Sequence, residues 1–187
     1  MGYDGHLQAV RQSPDRDDLV RAGSKCLVDS AALIESAGIP VPIISTGGTG
    51  TYAVSGEYPS ITEIQPGSYL LMDTLYLDRS APFRRSLTVL TTVISTRGAE
   101  NAVIDCGVKA LSGERGLSTV KDLPGVRLKA LHAEHGLIEI QTDSTIALTV
   151  GQKIELWVHY SDATVNLHSS LYGVRHGQVE EVFRIEH

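Results

Sequence analysis

Cysteine is scarce in this sequence: Cys26 and Cys106 are the two present in 187 residues. Pairing is open to them, but two cysteines so far apart form no disulfide framework. The expectation is two buried free thiols in a reducing compartment. Positive charge is also in deficit, with a formal net charge of −6 and a pI near 5.6. That excludes the basic footprint of a nucleic-acid binder, and the acidic residues are dispersed rather than gathered into a tail. No apolar run approaches the roughly 18 residues of a membrane span. The opening "MGYDGHLQ" lacks the basic and then apolar regions of a signal peptide. A cytoplasmic chain is expected. The Walker pattern, the GxGxxG fingerprint, the Gly-x-Ser-x-Gly elbow and CxxC are all missing, as are repeats, heptads and low-complexity runs.

What is present is ordinary for a globular protein, with 42% apolar and 20% charged residues. Such a chain can bury a core without staples and make one domain or two small ones. Its character changes near residue 80. Before it, helix and strand alternate. Ser13-Pro14-Asp15 starts a helix with a capping hydroxyl and a proline in the first turn. Leu19, Cys26, Leu27, Ala31 and Ile34 recur at helical spacing, Gly38 stops the helix and Pro40 prevents its resumption. "VPIIS" (41–45) and "SYLLMD" (68–73) read as buried strands. This is the grammar of an α/β layered or barrel fold.

After residue 80 the chain reads as β. "SLTVLTTVIST" (86–96), "NAVIDCGV" (101–108), "VRLKALHA" (126–133), "GLIEIQT" (136–142), "KIELWVHY" (153–160) and "VEEVFRIEH" (179–187) are separated by turn-rich segments. "LYGVRHGQVEEVFRI" predicts a hairpin turning at His176-Gly177. An α/β barrel needs about 250 residues, whereas only 1–80 has α/β character. The expectation is therefore α/β plus β: the terminal part of a barrel in 1–80 and a complete β domain in 81–187.

Three stretches carry candidate chemistry. "STGGTGTY" (45–52) follows a predicted strand. Its glycines permit close backbone approach and its threonines add hydroxyl donors, as an anion cradle requires. The same composition also makes a plain exposed turn. "WVHYSDATVNLH" (157–168) puts His159 near Asp162, a nitrogen and oxygen pair suited to Zn²⁺, Mn²⁺ or Mg²⁺. It equally suits a surface hydrogen bond, and His168 reads as a turn residue. In "LHAEHG" (131–136), His132 and His135 differ in parity, so a turn before Gly136 is the simpler reading.

Six motifs in this order carry a resemblance: "GYDGH", "STGGTGTY", "TEIQPGSYLLMD", "IDCGVKALS", "LHAEHG" and "DATVNLH". Together they resemble the C-terminal half of the D-threonine aldolase and D-serine dehydratase-like family, which also contains 3-hydroxy-D-aspartate aldolases and dehydratases. The resemblance covers essentially the whole chain. It implies a fold-type III pyridoxal phosphate enzyme similar to alanine racemase, with the terminal part of an alanine racemase-like TIM barrel followed by a C-terminal β domain.

It also implies site residues. Thr46, Gly47, Gly48 and Thr49 would cradle the phosphate of pyridoxal 5'-phosphate, and Tyr3 would contact its ring or line the pocket. The family binds a divalent metal (Mn, Mg or Zn) through a His and an Asp or Cys. Asp162 matches the acidic ligand. The usual His-x-Asp spacing falls on Tyr160, and a local bulge would bring His159 into its place. His159 and Asp162 are the expected ligands. Ala163 stands where the family more often has Pro. His6 is the candidate base. The implied reaction is a lyase step on a D-3-hydroxy amino acid, either Cα–Cβ cleavage or dehydration. The family's Schiff-base lysine lies upstream, and none of Lys25, Lys109, Lys121, Lys129 or Lys153 has a matching context. The chain is thus expected to lack that half and to act as a homodimer or with the missing half.

Overall fold

Ser13 is extended (φ −158°, ψ 159°), and its hydroxyl accepts from the Arg16 amide at 3.3 Å. Pro14 follows in the first turn, where its missing N–H costs nothing, and Asp15 and Asp17 face the positive end of the helix. The computed structural model accordingly carries a long helix at Pro14–Ser36. It describes residues 1–8, 10, 13–76 and 83–186, in two compact units, Met1–Arg84 and Arg85–His187. The boundary expected at residue 80 lies outside the described residues.

In the first unit, α1 is a single turn (Gly5–Gln8) and α2 is the Pro14–Ser36 helix. The buried face of α2 is Arg16, Val20, Ser24 and Ala31. That differs from the expected apolar set, since Leu19 is 57% and Ile34 44% exposed. Cys26 is exposed too, so the expectation of two buried thiols fails for it, while Cys106 is buried; both are free. The reason is polar. The Arg16 side chain turns inward to donate to backbone carbonyls, which brings Val20 round to pack with Leu7 and Val54.

"VPIIS" is not a strand along its length. Only Ser45–Thr46 (β1) forms ladder bonds, paired in parallel with Glu63–Ile64 (β2). Between them lies α3 (Tyr52–Gly56). "SYLLMD" is not a strand at all. Its first residues, Ser68–Leu70, make a 3₁₀ turn, and Met72 has φ 47°, which no strand accommodates. Met72 and Asp73 are nevertheless buried.

The second unit follows the alternation of its sequence closely. β3 (Thr88–Arg97), β4 (Asn101–Ile104), β5 (Thr119–Val120), β6 (Val126–Leu131), β7 (Gly136–Ile140) and β8 (Lys153–Trp157) form one antiparallel sheet, in the order β5-β8-β3-β4-β7-β6. β3 is the spine. Its residues Thr88–Thr92 pair with β8, and after a register shift between Val93 and Ser95 it pairs with β4. The inward residues Val126, Leu128, Ile138, Ile140, Ile154 and Leu156 alternate with more exposed neighbours and join Val93, Ile104, Leu111 and Val158 in one core. The short helix α4 (Ser161–Val165) follows β8.

β9 (Ser170–Arg175) and β10 (Gln178–Arg184) make the predicted hairpin. His176 and Gly177 turn it with φ 51° and 76°, the type I′ geometry that matches strand twist. A register shift between Val179 and Glu181 places Val179 opposite Val174 and Val182 opposite Tyr172.

Asp105, just beyond β4, accepts from the Thr91 hydroxyl at 2.7 Å and the Thr92 amide at 2.8 Å. Desolvation opposes its charge, but these hydrogen bonds prevail and hold its pKa below the ordinary carboxylate value. The stability it contributes is therefore present above the unfolded pKa and lost as pH falls through the folded one. Thr91→Val should raise the Asp105 pKa, read by NMR titration, and move acid unfolding to higher pH. Ile138→Ala, at a site 1% exposed, should cost about 2–5 kcal/mol in urea unfolding.

Candidate functional site

The glycine loop between β1 and α3 is held from below by one side chain. Gln8 is 3% exposed. Its Nε2 donates to Asp4 Oδ1 at 2.6 Å and to Thr51 Oγ1 at 2.7 Å, while its Oε1 accepts from the Gly50 amide at 2.8 Å. Thr51 Oγ1 in turn accepts from the Gly48 amide at 3.1 Å. Arg16, also buried, donates to the Gly50 carbonyl and to the Leu7 carbonyl, and pairs with Asp17. The amide and the carbonyl of Gly50 are thus both fixed. No backbone-only pattern in the sequence marks Gln8 or Arg16; a polar residue in a short turn and an arginine in a helix's first turn read as surface.

Two glycines here are dictated by space and conformation. Gly47 has φ 71°, and a Cβ on it would stand 3.0 Å from Ser55 Cβ. A Cβ on Gly50 would stand 2.2 Å from the Gln8 carbonyl oxygen. A Cβ on Gly48 would meet the Gln8 side-chain amide at 2.7 Å and the Tyr3 hydroxyl at 3.0 Å. Tyr3 is brought there by the preceding residue, since the Gly2 amide donates to the Ser45 carbonyl at 3.1 Å. Thr46 and Thr49 are buried, and Thr49 Oγ1 accepts from the Tyr69 amide at 3.1 Å. His6 is exposed on α1. The structure therefore brings Tyr3, Thr46, Gly47, Gly48 and Thr49 together.

The loop fits a phosphate on one physical ground. Ser55 Oγ is fully buried against Gly47 and has no hydrogen-bond partner. A buried hydroxyl without a partner is costly, and an anion oxygen would satisfy it. Ser55 was not among the sequence candidates, because it lies beyond the glycines in α3. Four of the five lysines are paired with carboxylates: Lys25 with Asp29, Lys109 with Glu134, Lys121 with Glu155 and Lys129 with Glu139.

In the second unit, the expected metal ligand His159 is engaged by a loop carbonyl. His159 Nε2 lies 3.1 Å from the Arg115 carbonyl oxygen, and its ring covers Gly116. A carbonyl only accepts, so Nε2 carries the proton. Tyr160, the next residue, is extended (φ −134°, ψ 106°). The Arg115 guanidinium lies over the Tyr160 ring, 5.3 Å from its centroid. The Tyr160 pKa is raised, first by burial and then by the Asp162 charge, with Arg115 pulling the other way. His168 Nε2 lies 2.8 Å from the Ala110 carbonyl oxygen. Among the described residues, no cluster of three His, Cys, Asp or Glu side chains could hold a metal ion. An open cleft of about 550 Å³, lined by Ser112, Gly113, Glu114, Leu117 and Ala163 among others, adjoins these residues in sequence. Cys106, beside Asp105, has its thiol pushed up to about 11 by burial, which leaves it unreactive.

The two units have the fold of alanine racemase-like proteins. An alanine racemase-like protein from Idiomarina loihiensis superposes with a TM-score of 0.80 at 21% identity, over 97% of this chain and 54% of its own. A crystal structure of D-threonine aldolase from Filomicrobium marinum superposes with a TM-score of 0.90 at 30% identity, over 98% of this chain and 50% of that one. Residues 86–174 match the family described as "putative serine dehydratase domain". D-Threonine aldolase from an Arthrobacter species is 33% identical over 98% of this chain and 49% of its own length. A 3-hydroxy-D-aspartate aldolase from Paracoccus denitrificans (strain Pd 1222) is 31% identical with the same coverage. Residues 86–174 therefore carry a serine dehydratase-type domain, and the chain is homologous along nearly its whole length to D-threonine aldolase and 3-hydroxy-D-aspartate aldolase. It spans about half the length of the curated relatives it matches. No described helix is long and apolar enough to cross a membrane.

Gln8→Met keeps the side-chain shape but leaves the Gly50 amide unpaired, and should lower stability by about 1–3 kcal/mol in thermal or urea unfolding. Gly50→Ala should do at least as much, because its Cβ meets backbone.

Proposed function

We propose that the chain serves a pyridoxal phosphate-dependent lyase acting on D-3-hydroxy amino acids, with cleavage of the Cα–Cβ bond as the leading reaction. The observation that carries this is the glycine loop: braced by Gln8 and Arg16 from behind, it keeps the buried Ser55 hydroxyl unpaired beside Gly47. Relatives aligned along nearly the whole chain bear the names of such aldolases.

In this reading Thr46, Gly47, Gly48, Thr49 and Ser55 hold the phosphate. The hydroxyls donate to its oxygens, and Gly47 lets the backbone approach without a Cβ in the way. Pyridoxal phosphate, when bound, supplies an electron sink for the bond broken at the substrate Cα. The Tyr3 hydroxyl, already at Gly48, lines the place where the cofactor ring would lie. The exposed His6 imidazole takes the proton from the substrate's β-hydroxyl as that bond breaks. No step is assigned to a divalent metal: the His159 Nε2 is engaged by the Arg115 carbonyl, and among the described residues no cluster of three His, Cys, Asp or Glu side chains could hold the ion. Dehydration is the second reading, favoured by the serine dehydratase-type domain over residues 86–174.

Binding of pyridoxal phosphate and of pyridoxal to the chain, measured by equilibrium dialysis, tests the phosphate assignment. The phosphate ester should bind the tighter, and Ser55→Ala should weaken it about tenfold or more. Thermal stability should not fall in that variant, because the hydroxyl it removes is unpaired. Equal binding of both probes would refute the cradle. The product separates the reactions: glycine plus an aldehyde for cleavage, a 2-oxo acid plus ammonia for dehydration.

A further inference from the structure

β9 and β10 pair with each other and with no other described strand. A two-stranded hairpin is marginally stable alone in water, so a face of it has something to gain from burial. Strand pairing assigns the faces. Tyr172 stands opposite Val182 and Val174 opposite Val179, so these four share one face. Leu171, Gly173 and Arg175 share the other, opposite Phe183, Glu181 and Gln178. Strict alternation would put Val179 on that second face with Glu181 and Phe183. The register shift between Val179 and Glu181 moves it to the first. Glu180, inside the shift, accepts from Arg175 Nε and so stays with the polar face. There the Phe183 ring lies against Gly173, where a Cβ would stand 3.1 Å from it.

The apolar face is the one turned to solvent. Along β9, Leu171 and Gly173 are half-buried while Tyr172 and Val174 are exposed. Tyr172 is 65%, Val174 61%, Val179 58% and Val182 56% exposed. Single exposed apolar residues need no explanation, but four gathered on one face by a bulge make a contact surface.

We propose that a second copy of the chain docks on this face, hairpin against hairpin about a twofold axis. Charge selects the occupant. The chain carries a formal net charge of −6, so two copies associate best through surfaces free of carboxylates. The β10 glutamates lie with the other face, and at the strand's end Arg184 is balanced by Glu186 at 3.6 Å. The apolar face therefore offers a copy of itself nothing to repel, and it offers a charged partner no row of opposite sign. Area sets the strength. Strands of six and seven residues make a contact roughly 20 Å long and two strands wide. That falls short of the about 800 Å² per partner of a stable interface. The dimer is thus weak and reversible, and it does not rest on the lyase reading.

Sedimentation equilibrium of the full chain, from about 1 μM to about 1 mM, tests this. A monomer–dimer equilibrium is expected within that range, and added sodium chloride should not weaken an apolar contact. Val182→Lys brings two like charges into that contact and should loosen the dimer at least about tenfold. Val174→Lys, on the neighbouring strand, should do the same and decides the matter if circular dichroism shows Val182→Lys misfolded. Glu181→Lys, on the other face, should change it by no more than about twofold. A monomer throughout the range would overturn the proposal. So would a dimer that survives the lysine substitutions at Val174 and Val182, or one that Glu181→Lys loosens as strongly. Binding to neutral phosphatidylcholine vesicles without any dimer in solution would assign the face to lipid and overturn it as well.

Discussion

A polar group removed from water must find another partner, and this constraint organises both units. In the first, Gln8 uses three hydrogen bonds to join α1 to the glycine loop, and Arg16 ties α2 to the same peptide. The apolar packing of Leu7, Val20 and Val54 is small, so the loop's shape rests on this polar network more than on burial. A half-satisfied network would be worse than none. That makes the unpaired hydroxyl of Ser55, in the same network's shadow, a feature in need of a ligand.

The second unit divides the work differently. Its core is a large apolar cluster enclosed by six strands, and its polar links lie around the edge. Glu155 accepts from Thr88 and pairs with Lys121, while Lys121 and Arg85 flank the Trp157 ring at 4.9 and 4.5 Å. Desolvation works against the Glu155 charge, yet these contacts outweigh it and keep its pKa low. With the core secured by the sheet, the loop after β8 is free to carry functional groups. There, two neighbours in sequence meet different parts of one residue: His159 meets the Arg115 carbonyl and Tyr160 lies under the Arg115 guanidinium.

Much of this was legible in advance. The caps of α2, the alternation of the six sheet strands and the His176-Gly177 turn are local signals, set by dihedral preference and by one buried face per strand. The family resemblance was carried by short motifs and held over both units. Less legible was which face of α2 turns inward, because Leu19 and Ile34 have the right hydrophobicity and the wrong partners. "VPIIS" and "SYLLMD" look like strands by composition. Burial without ladder pairing has no signature in composition, and Met72 is buried through a left-handed turn instead.

The sequence by itself determined where the chain turns, where its helix begins, which strands alternate, and that a loop of glycines and threonines could meet an anion. These depend on residues within a few positions of one another. Only the tertiary structure decided that Gln8 and Arg16 brace that loop, that Ser55 is its unpaired donor, and that the His159 ring meets the Arg115 carbonyl. Each of those depends on contacts between segments, and these are not written in spacing alone.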